Sequence, residues 1–292
     1  MTPIDDELLR SWPLPLPDAQ GDKEERGRAA VIGGSREVPG AALLAGVAAL
    51  RAGAGKLALG VGESHAAGLA LAVPESRVIA LPETPAGGLL PQGVERLSAL
   101  LPRLDALLVG PGMQDEAAAC DFVRALLPRL ATQALVLDAL AMGVVVDGAP
   151  LPLPAVLTPH AGEMAHLLGC SKEAVQADPA DCARQAAARW NAVVVLKGAV
   201  THIAEPGGRM WRHEAEHPGL ATSGSGDTLA GLIVGLAARG CALEQAGVWA
   251  VALHARAGHR LSQRVGSLGF LARELAGEVP ALMQSLMQSL RG

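Results

Sequence analysis

The strongest constraint on the fold is a repeating alternation, starting at Arg28, between short apolar runs and longer amphipathic stretches. The runs at 29–32, 56–61, 77–81, 106–109, 134–138, 155–157 and 193–196 are apolar almost throughout, not at every second position. Strands of that kind are covered on both faces, because a half-solvated strand would alternate polar and apolar residues. Helix-like stretches lie between most of them, including 41–51, 116–130 and 179–190. Together they predict an α/β architecture, a central and mainly parallel sheet with helices on both faces. Half of the residues are hydrophobic but only 2% are aromatic, and Tyr is absent, so the layers must be built from Ala, Val, Leu and Ile.

After Lys197 the pattern changes. Segments 200–204 and 209–213 flank Glu205-Pro206-Gly207-Gly208 as a β-hairpin would. Helices are then expected at 228–239, 243–262, 266–276 and 279–290. No linker divides the 292 residues, so 27–292 is expected to be a single domain. Residues 1–26, with Trp12-Pro13-Leu14-Pro15-Leu16-Pro17, are expected to form an extended arm, because each proline fixes its own φ and biases its predecessor away from helix.

A net charge of −5 argues against general nucleic-acid affinity, so an anionic ligand must be held by helix ends and a few basic groups. Cys120, Cys170, Cys182 and Cys241 form no CxxC pair, which suits reduced thiols better than a disulfide frame or zinc site. The start, Met1-Thr2-Pro3-Ile4-Asp5-Asp6-Glu7, has no basic region followed by an apolar one, and no apolar run reaches membrane-spanning length. A cytoplasmic protein without membrane partners is expected. The apolar C-terminal helices offer either an interface for a homo-oligomer or intramolecular packing.

Ligands of open α/β sheets bind beyond the carboxyl ends of the strands. Gly110-Pro111-Gly112, Thr158-Pro159-His160 and Lys197-Gly198 fall there, and Thr222-Ser223-Gly224-Ser225-Gly226-Asp227 opens the following helix. In that last run small residues let backbone N–H groups approach a phosphate, the helix N-terminus adds partial positive charge, and a carboxylate sits at the junction. Asp227 could be a simple helix-start residue or a base that takes a proton from an attacking hydroxyl. Lys197-Gly198-Ala199-Val200-Thr201 could be a hairpin turn with a solvated lysine or a contact for nucleotide phosphate and ribose. His160 and Glu163 share a helical face if the helix begins at His160, whereas His166 is turned away, so the trio is a poor metal cage. Gly33-Gly34-Ser35 with Pro39-Gly40-Ala41-Ala42 could be a plain loop or leave room for a flat ligand. Gly60-Val61-Gly62-Glu63-Ser64-His65 lacks the last small residue of a dinucleotide fingerprint. Gly55-Lys56-Leu57 lacks the upstream glycine and the hydroxyl of a P-loop.

Taken in order with Arg51-Ala52-Gly53-Ala54-Gly55, Leu137-Asp138-Ala139 and His217-Pro218-Gly219-Leu220-Ala221, these motifs closely resemble the ADP-dependent NAD(P)H-hydrate dehydratases, from about residue 28 to about 276. The resemblance implies a ribokinase-like fold, Mg2+, and ADP as co-substrate. It also implies a substrate, the S form of NADH or NADPH hydrated at C6 of the nicotinamide ring, with AMP and phosphate as further products. Some relatives carry a fused N-terminal epimerase domain; residues 1–26 are too short for one, so a stand-alone form is expected. By motif match Asp227 would activate the C6 hydroxyl, and Gly224, Ser225 and Gly226 would supply amides to the transferring phosphoryl. Lys197, Gly198, Ala199, Val200 and Thr201 would hold the AMP portion. Ala41 or Ala42, Gly112 and His160, with Asp227, would contact the hydrated cofactor, and Glu163 would stand near magnesium and its waters.

Relatives often read Asp-Ala-Asp-Ala-Leu-Asn where this chain has Asp138-Ala139-Leu140-Ala141-Met142-Gly143, so a carboxylate and an amide are missing. Two other readings accompany the dehydratase: a small-molecule, vitamin-precursor kinase of the same superfamily, which would use the same Gly-rich turn and Asp227, and an adenylate-binding sensor without catalysis, which the missing groups at Leu140 and Gly143 suggest.

Overall fold

Successive side chains of a strand point to opposite faces, and here they feed two separate cores. The computed structural model describes residues 1–16, 25–214 and 218–288. Among these, ten strands form one sheet: β1 (Thr2–Pro3), β2 (Arg28–Ile32), β3 (Lys56–Gly62), β4 (Ser76–Leu81), β5 (Ala106–Val109), β6 (Ala134–Leu137), β7 (Ala155–Leu157), β8 (Val193–Leu196), β9 (Val200–Ala204) and β10 (Met210–Glu214). Their order is β1-β10-β9-β8-β7-β6-β5-β2-β3-β4, and all neighbours are parallel except β8 with β9 and β9 with β10.

The helices are α1 (Asp6–Ser11), α2 (Gly40–Arg51), α3 (Ala66–Ala72), α4 (Val94–Leu97), α5 (Glu116–Leu126), α6 (Ala161–Leu168), α7 (Lys172–Ala177), α8 (Pro179–Trp190), α9 (Ser225–Ala238), α10 (Leu243–Arg264) and α11 (Ala272–Gln288). Val31, Leu59, Leu108, Val136 and Val195 face a core with α2, α9, α10 and α11. Ile32, Leu107, Leu135, Leu157 and Val194 face the opposite core, with α5, α6 and α8. The scarcity of aromatics has a use between α2 and α9. A Cβ on Gly231 or Gly235 would stand 2.2 Å from the Ala45 carbonyl oxygen or 2.5 Å from that of Ala49, so the two backbones are in direct contact.

The chain runs from β2 outward to β3 and β4, then returns to β5 on the other side of β2. This reversal makes a crevice at the carboxyl ends of β2 and β5, where the Gly34 N–H donates to the Pro111 carbonyl at 2.6 Å.

Three expectations need correction. The arm is not extended throughout, because Asp5 caps α1 by accepting from the Leu8 N–H. Leu9 and Leu14 are buried, and the Trp12 ring stacks on Trp211 at 5.8 Å. With β1 paired to β10, this segment covers a sheet edge that would otherwise be open. The segment expected at 266–276 becomes helical only at Ala272, since Gly266 and Gly269 take φ of +138° and +99°. That helix then continues past 276 without a break and carries Pro280 inside it. The helix expected at 116–130 gives way to a 3₁₀ turn at Leu127–Arg129, which contains Pro128. Residues 17–24 of the arm, His217, and residues 289–290 of the last expected helix lie outside the described residues. Among the described residues no helix is long and apolar enough to cross a membrane.

Candidate active site

Two glycine loops wall the crevice. A Cβ on Gly112 would lie 2.8 Å from Ala41 Cβ and 2.5 Å from the Val38 carbonyl oxygen, so Gly112 and Ala41 are brought together beside the N-terminus of α2. Ala42, the alternative to Ala41, is fully buried in the α2–α9 core, and Ala41 is nearly so. No side chain caps α2, and Gly40 is exposed at its start.

Lys197, one residue beyond β8, anchors the centre. Its Nζ is 3.2 Å from Asp138 Oδ1 and 3.8 Å from Glu163 Oε2, with only 19% of the lysine side chain exposed. It therefore ends a β8–β9 hairpin, as a turn reading of 197–201 expects, but it is not the solvated lysine of that reading. Burial alone would depress the ammonium; the charges of Asp138 and Glu163, with a smaller one from Asp227, outweigh it and raise the pKa. Asp138, at the end of β6, is almost fully buried and accepts a 2.6 Å hydrogen bond from the Thr158 hydroxyl. Gly198 and Ala199 are exposed and Val200 and Thr201 half-buried, forming an open lip beside Lys197.

The α6 terminus is closed. His160 is its N-cap, not its first helical residue; His160 Nδ1 accepts from the amides of Gly162 at 3.0 Å and Glu163 at 3.1 Å. Glu163 Oε2 in turn accepts from the His160 N–H at 2.7 Å, completing a capping box. With Nδ1 an acceptor, the neutral ring carries its proton on Nε2, and the side chain is 60% exposed toward the crevice end of the sheet. His166 is turned away and meets Glu116 of α5 at 2.6 Å. Among the described residues no group of three His, Cys, Asp or Glu side chains could hold a metal ion.

The α9 terminus is open. Gly224 has φ of +86° and caps the helix without a side-chain bond. The Ser225 N–H is used by the Thr222 carbonyl, and the first i→i−4 bond runs from Thr228 to Gly224 at 3.1 Å. The amides of Gly226 and Asp227 precede that bond and point out of the helix end. Gly226 lies beside Lys197, whose Nζ would be 3.3 Å from a Cβ placed there. Asp227 does not cap the helix, and its carboxylate accepts no hydrogen bond among the described residues. Its pKa is pushed up to about 6, first by burial and then by the charge of Asp138; Lys197 pulls it down and Glu163 adds a further push. A half-buried carboxylate that, like the amides beside it, has no hydrogen-bond partner among the described residues, and that stands next to an ammonium, can accept a proton while an anion is held beside it.

Ser225 differs from the sequence expectation in its side chain. The hydroxyl is buried and lies 2.9 Å from His254 Nε2 of α10, facing away from the crevice. His254 was not singled out in the sequence, where a lone histidine in an amphipathic helix carries no signal. Asp138 and Thr158, separated by 20 residues, were named in motifs, but not Asp138 as the partner of Lys197 nor Thr158 as the donor to Asp138. The two departures from the relatives' motif have a simple placement. Leu140 packs toward the α5–α8 core, and Gly143 is buried against α5, where a Cβ would stand 2.7 Å from Glu116 Oε1 and 2.9 Å from Cys120 Sγ. Neither replacement removes Asp138, Glu163 or Asp227 from the cluster.

Comparison with known proteins gives the arrangement its relatives. A family model for NAD(P)H-hydrate dehydratase matches residues 29–281. An ADP-dependent (S)-NAD(P)H-hydrate dehydratase from Xanthomonas campestris is 51% identical over 95% of this chain and 94% of its own length. The crystal structure of an ADP/ATP-dependent NAD(P)H-hydrate dehydratase from Bacillus subtilis, co-crystallised with ATP/Mg2+, superposes with a TM-score of 0.84 at 30% identity over 98% of each chain. A ribokinase-like superfamily protein from Enterococcus faecalis superposes with a TM-score of 0.84 at 25% identity, over 98% of this chain and 96% of that one.

Proposed function

The chain belongs to the NAD(P)H-hydrate dehydratase family, and from that premise we propose that it returns the S form of hydrated NADH or NADPH to NAD(P)H at the expense of ADP, releasing AMP and phosphate. Residues 27–292 act as one catalytic domain in the cytoplasm. Hydroxide is a poor leaving group, so the C6 hydroxyl must first be made a better one. Asp227 accepts the hydroxyl proton as the oxygen attacks the β-phosphoryl of ADP, and the Gly226 and Asp227 amides take up charge on the transferring group. The ring nitrogen lone pair then expels phosphate, and loss of the C5 proton restores the dihydropyridine.

Lys197 and the lip formed by Gly198, Ala199, Val200 and Thr201 receive the nucleotide, while Gly112, Ala41 and the Nε2–H face of His160 border the hydrated ring. The donor set suits magnesium held through water and phosphate, since no three-ligand protein cage is present among the described residues and Mg2+ keeps most of its waters. Glu163, with one oxygen still unbonded by the cap, would hold it through water, and Asp138 stands on the other side of Lys197. When bound, the ion supplies charge neutralisation on the phosphates.

The observation that carries this reading is the Asp227 carboxylate: half-buried, without a hydrogen-bond partner among the described residues, and raised to a pKa of about 6 beside a helix start that no side chain caps. The test is incubation with hydrated NADH, Mg2+ and either ADP or ATP. Recovery of the near-UV absorbance of NADH with formation of AMP from ADP is expected; no recovery with either nucleotide would exclude the dehydratase, and a phosphorylated product that accumulates would support a kinase instead.

A further inference from the structure

His254 is a buried polar residue in the middle of α10, and the proposed chemistry does not use it. Its Nε2 lies 2.9 Å from Ser225 Oγ and 3.1 Å from the Ser225 carbonyl oxygen, so one ring nitrogen reaches both oxygen atoms of the first residue of α9. Burial keeps the ring neutral, with a pKa lowered to about 4. Nε2 must then carry the proton, because a carbonyl oxygen only accepts.

The carbonyl of Ser225 and the N–H of Gly226 belong to one planar, trans peptide unit and point in opposite directions. Ser225 opens α9, so its carbonyl already takes part in the helix ladder, while Gly224 before it sits in the left-handed region. The ladder begins at this turn, where helix ends fray, so a second hold from outside the helix would reinforce the orientation of this plane. His254 reaches it from a second helix, 29 residues away in the chain.

We infer that His254 is a positioning residue for phosphoryl transfer: by holding the Ser225 carbonyl it fixes the Gly226 N–H toward the phosphoryl group. The inference rests on the proposed reading of Gly226 as a phosphate-facing donor. Ser225 is then the second point of the clasp and not a ligand contact through its hydroxyl.

The test compares ADP with AMP as probes, measured by calorimetry without the hydrated cofactor, on the wild type and on His254→Leu, His254→Gln and His254→Asn. Gln carries an amide N–H at nearly the reach of Nε2, whereas Asn is too short. In His254→Leu and His254→Asn the preference for ADP over AMP is expected to fall about tenfold, and kcat by about 10- to 100-fold, with a smaller change in KM for the hydrate. His254→Gln should restore most of both. A merely structural role would lower the melting temperature without changing the ADP/AMP ratio or separating Gln from Asn. If Leu does not fold, the Gln and Asn pair decides. A wild-type ratio and kcat in His254→Asn, or equal losses in Gln and Asn, would overturn the inference. Absence of any ADP preference in the wild type would instead refute the reading of Gly226.

Discussion

Two helix starts meet at the crevice end of the sheet and are built in opposite ways. At α6 a reciprocal capping box satisfies the helix amides and the His160 N–H from within the protein, a device worth about 1 kcal/mol of stability. At α9 a glycine in the left-handed region replaces the cap, two amides stay free, and the carboxylate in the first turn makes no hydrogen bond among the described residues. The closed start spends its donors on holding His160 and Glu163 in place. The open start leaves these donors unused among the described residues, and Asp227 has only the charge of Lys197 in its favour. Lys197 touches both, within 3.8 Å of Glu163 and beside Gly226. The proposed function thus divides chemistry and positioning between the two helices, and the substitutions below act on one start or on the Lys197 link between them.

The largest effect is expected at the open start. Asp227→Asn should lower kcat by about 10³-fold, as loss of a general base does. Its stability should change in the other direction. A carboxyl raised from 3.8 to about 6 favours the folded state at low pH, and that contribution is lost as pH rises through about 6. Asn does not titrate, so at about pH 8 the variant should be more stable than the wild type by about 1–3 kcal/mol, with the gap closing below about pH 4. Urea denaturation at several pH values measures this, and a variant less stable at every pH would contradict the strained carboxylate. In the wild type, kcat/KM should fall as pH drops below about 6.

Lys197→Met comes next. It leaves the buried Asp138 charge without its cation and should cost about 3 kcal/mol of stability. It should also move the acid limb of the pH–rate profile upward, because Lys197 lowers the Asp227 pKa. A stable variant with an unmoved limb would show that the lysine serves the nucleotide alone.

The two helix starts also differ in how far the sequence reveals them. The α9 start was legible because its glycines, serines and aspartate are adjacent in the chain, and the strands were legible because burial on both faces makes continuous apolar runs. Two kinds of feature escaped. One is contact across the chain: Asp138 meets Lys197 over 59 positions, and Ser225 meets His254 over 29. His254 carries no local pattern, and the motifs that hold Asp138, Lys197 and Ser225 do not say which residues they meet. The other is burial that overrides composition. The proline-rich arm reads as extended, yet Asp5 supplies a helix cap and Trp12 has Trp211 as its partner, which lies some two hundred residues on. The capping box at 160–163 was half visible: the spacing placed His160 and Glu163 on one face, but a histidine in the role of Ser or Thr is not part of the usual signature.

Gly224→Ala probes the left-handed cap. At φ of +86° a side chain is strained, and its Cβ would stand 2.5 Å from Leu44 Cδ1 and 3.1 Å from Ala272 Cβ. A loss of about 1–3 kcal/mol is expected, read as a lower melting temperature together with weaker ADP binding. Unchanged stability with normal ADP affinity would mean that the open start does not depend on this conformation.

The smallest effect separates two duties of one residue at the closed start. Glu163→Gln keeps an oxygen that can accept from the His160 N–H, so the capping box and the melting temperature should persist, while Glu163→Ala should cost about 1 kcal/mol. Both variants remove a negative charge that raises the Asp227 pKa, so both should move the acid limb of kcat/KM downward, opposite to Lys197→Met. Both should also raise the Mg2+ concentration needed for half-maximal rate if Glu163 holds the ion through water. Were Gln to lower stability as much as Ala, charge and not capping would be holding the α6 start; were neither to move the acid limb, the coupling between the two helix starts would be refuted and each would act alone.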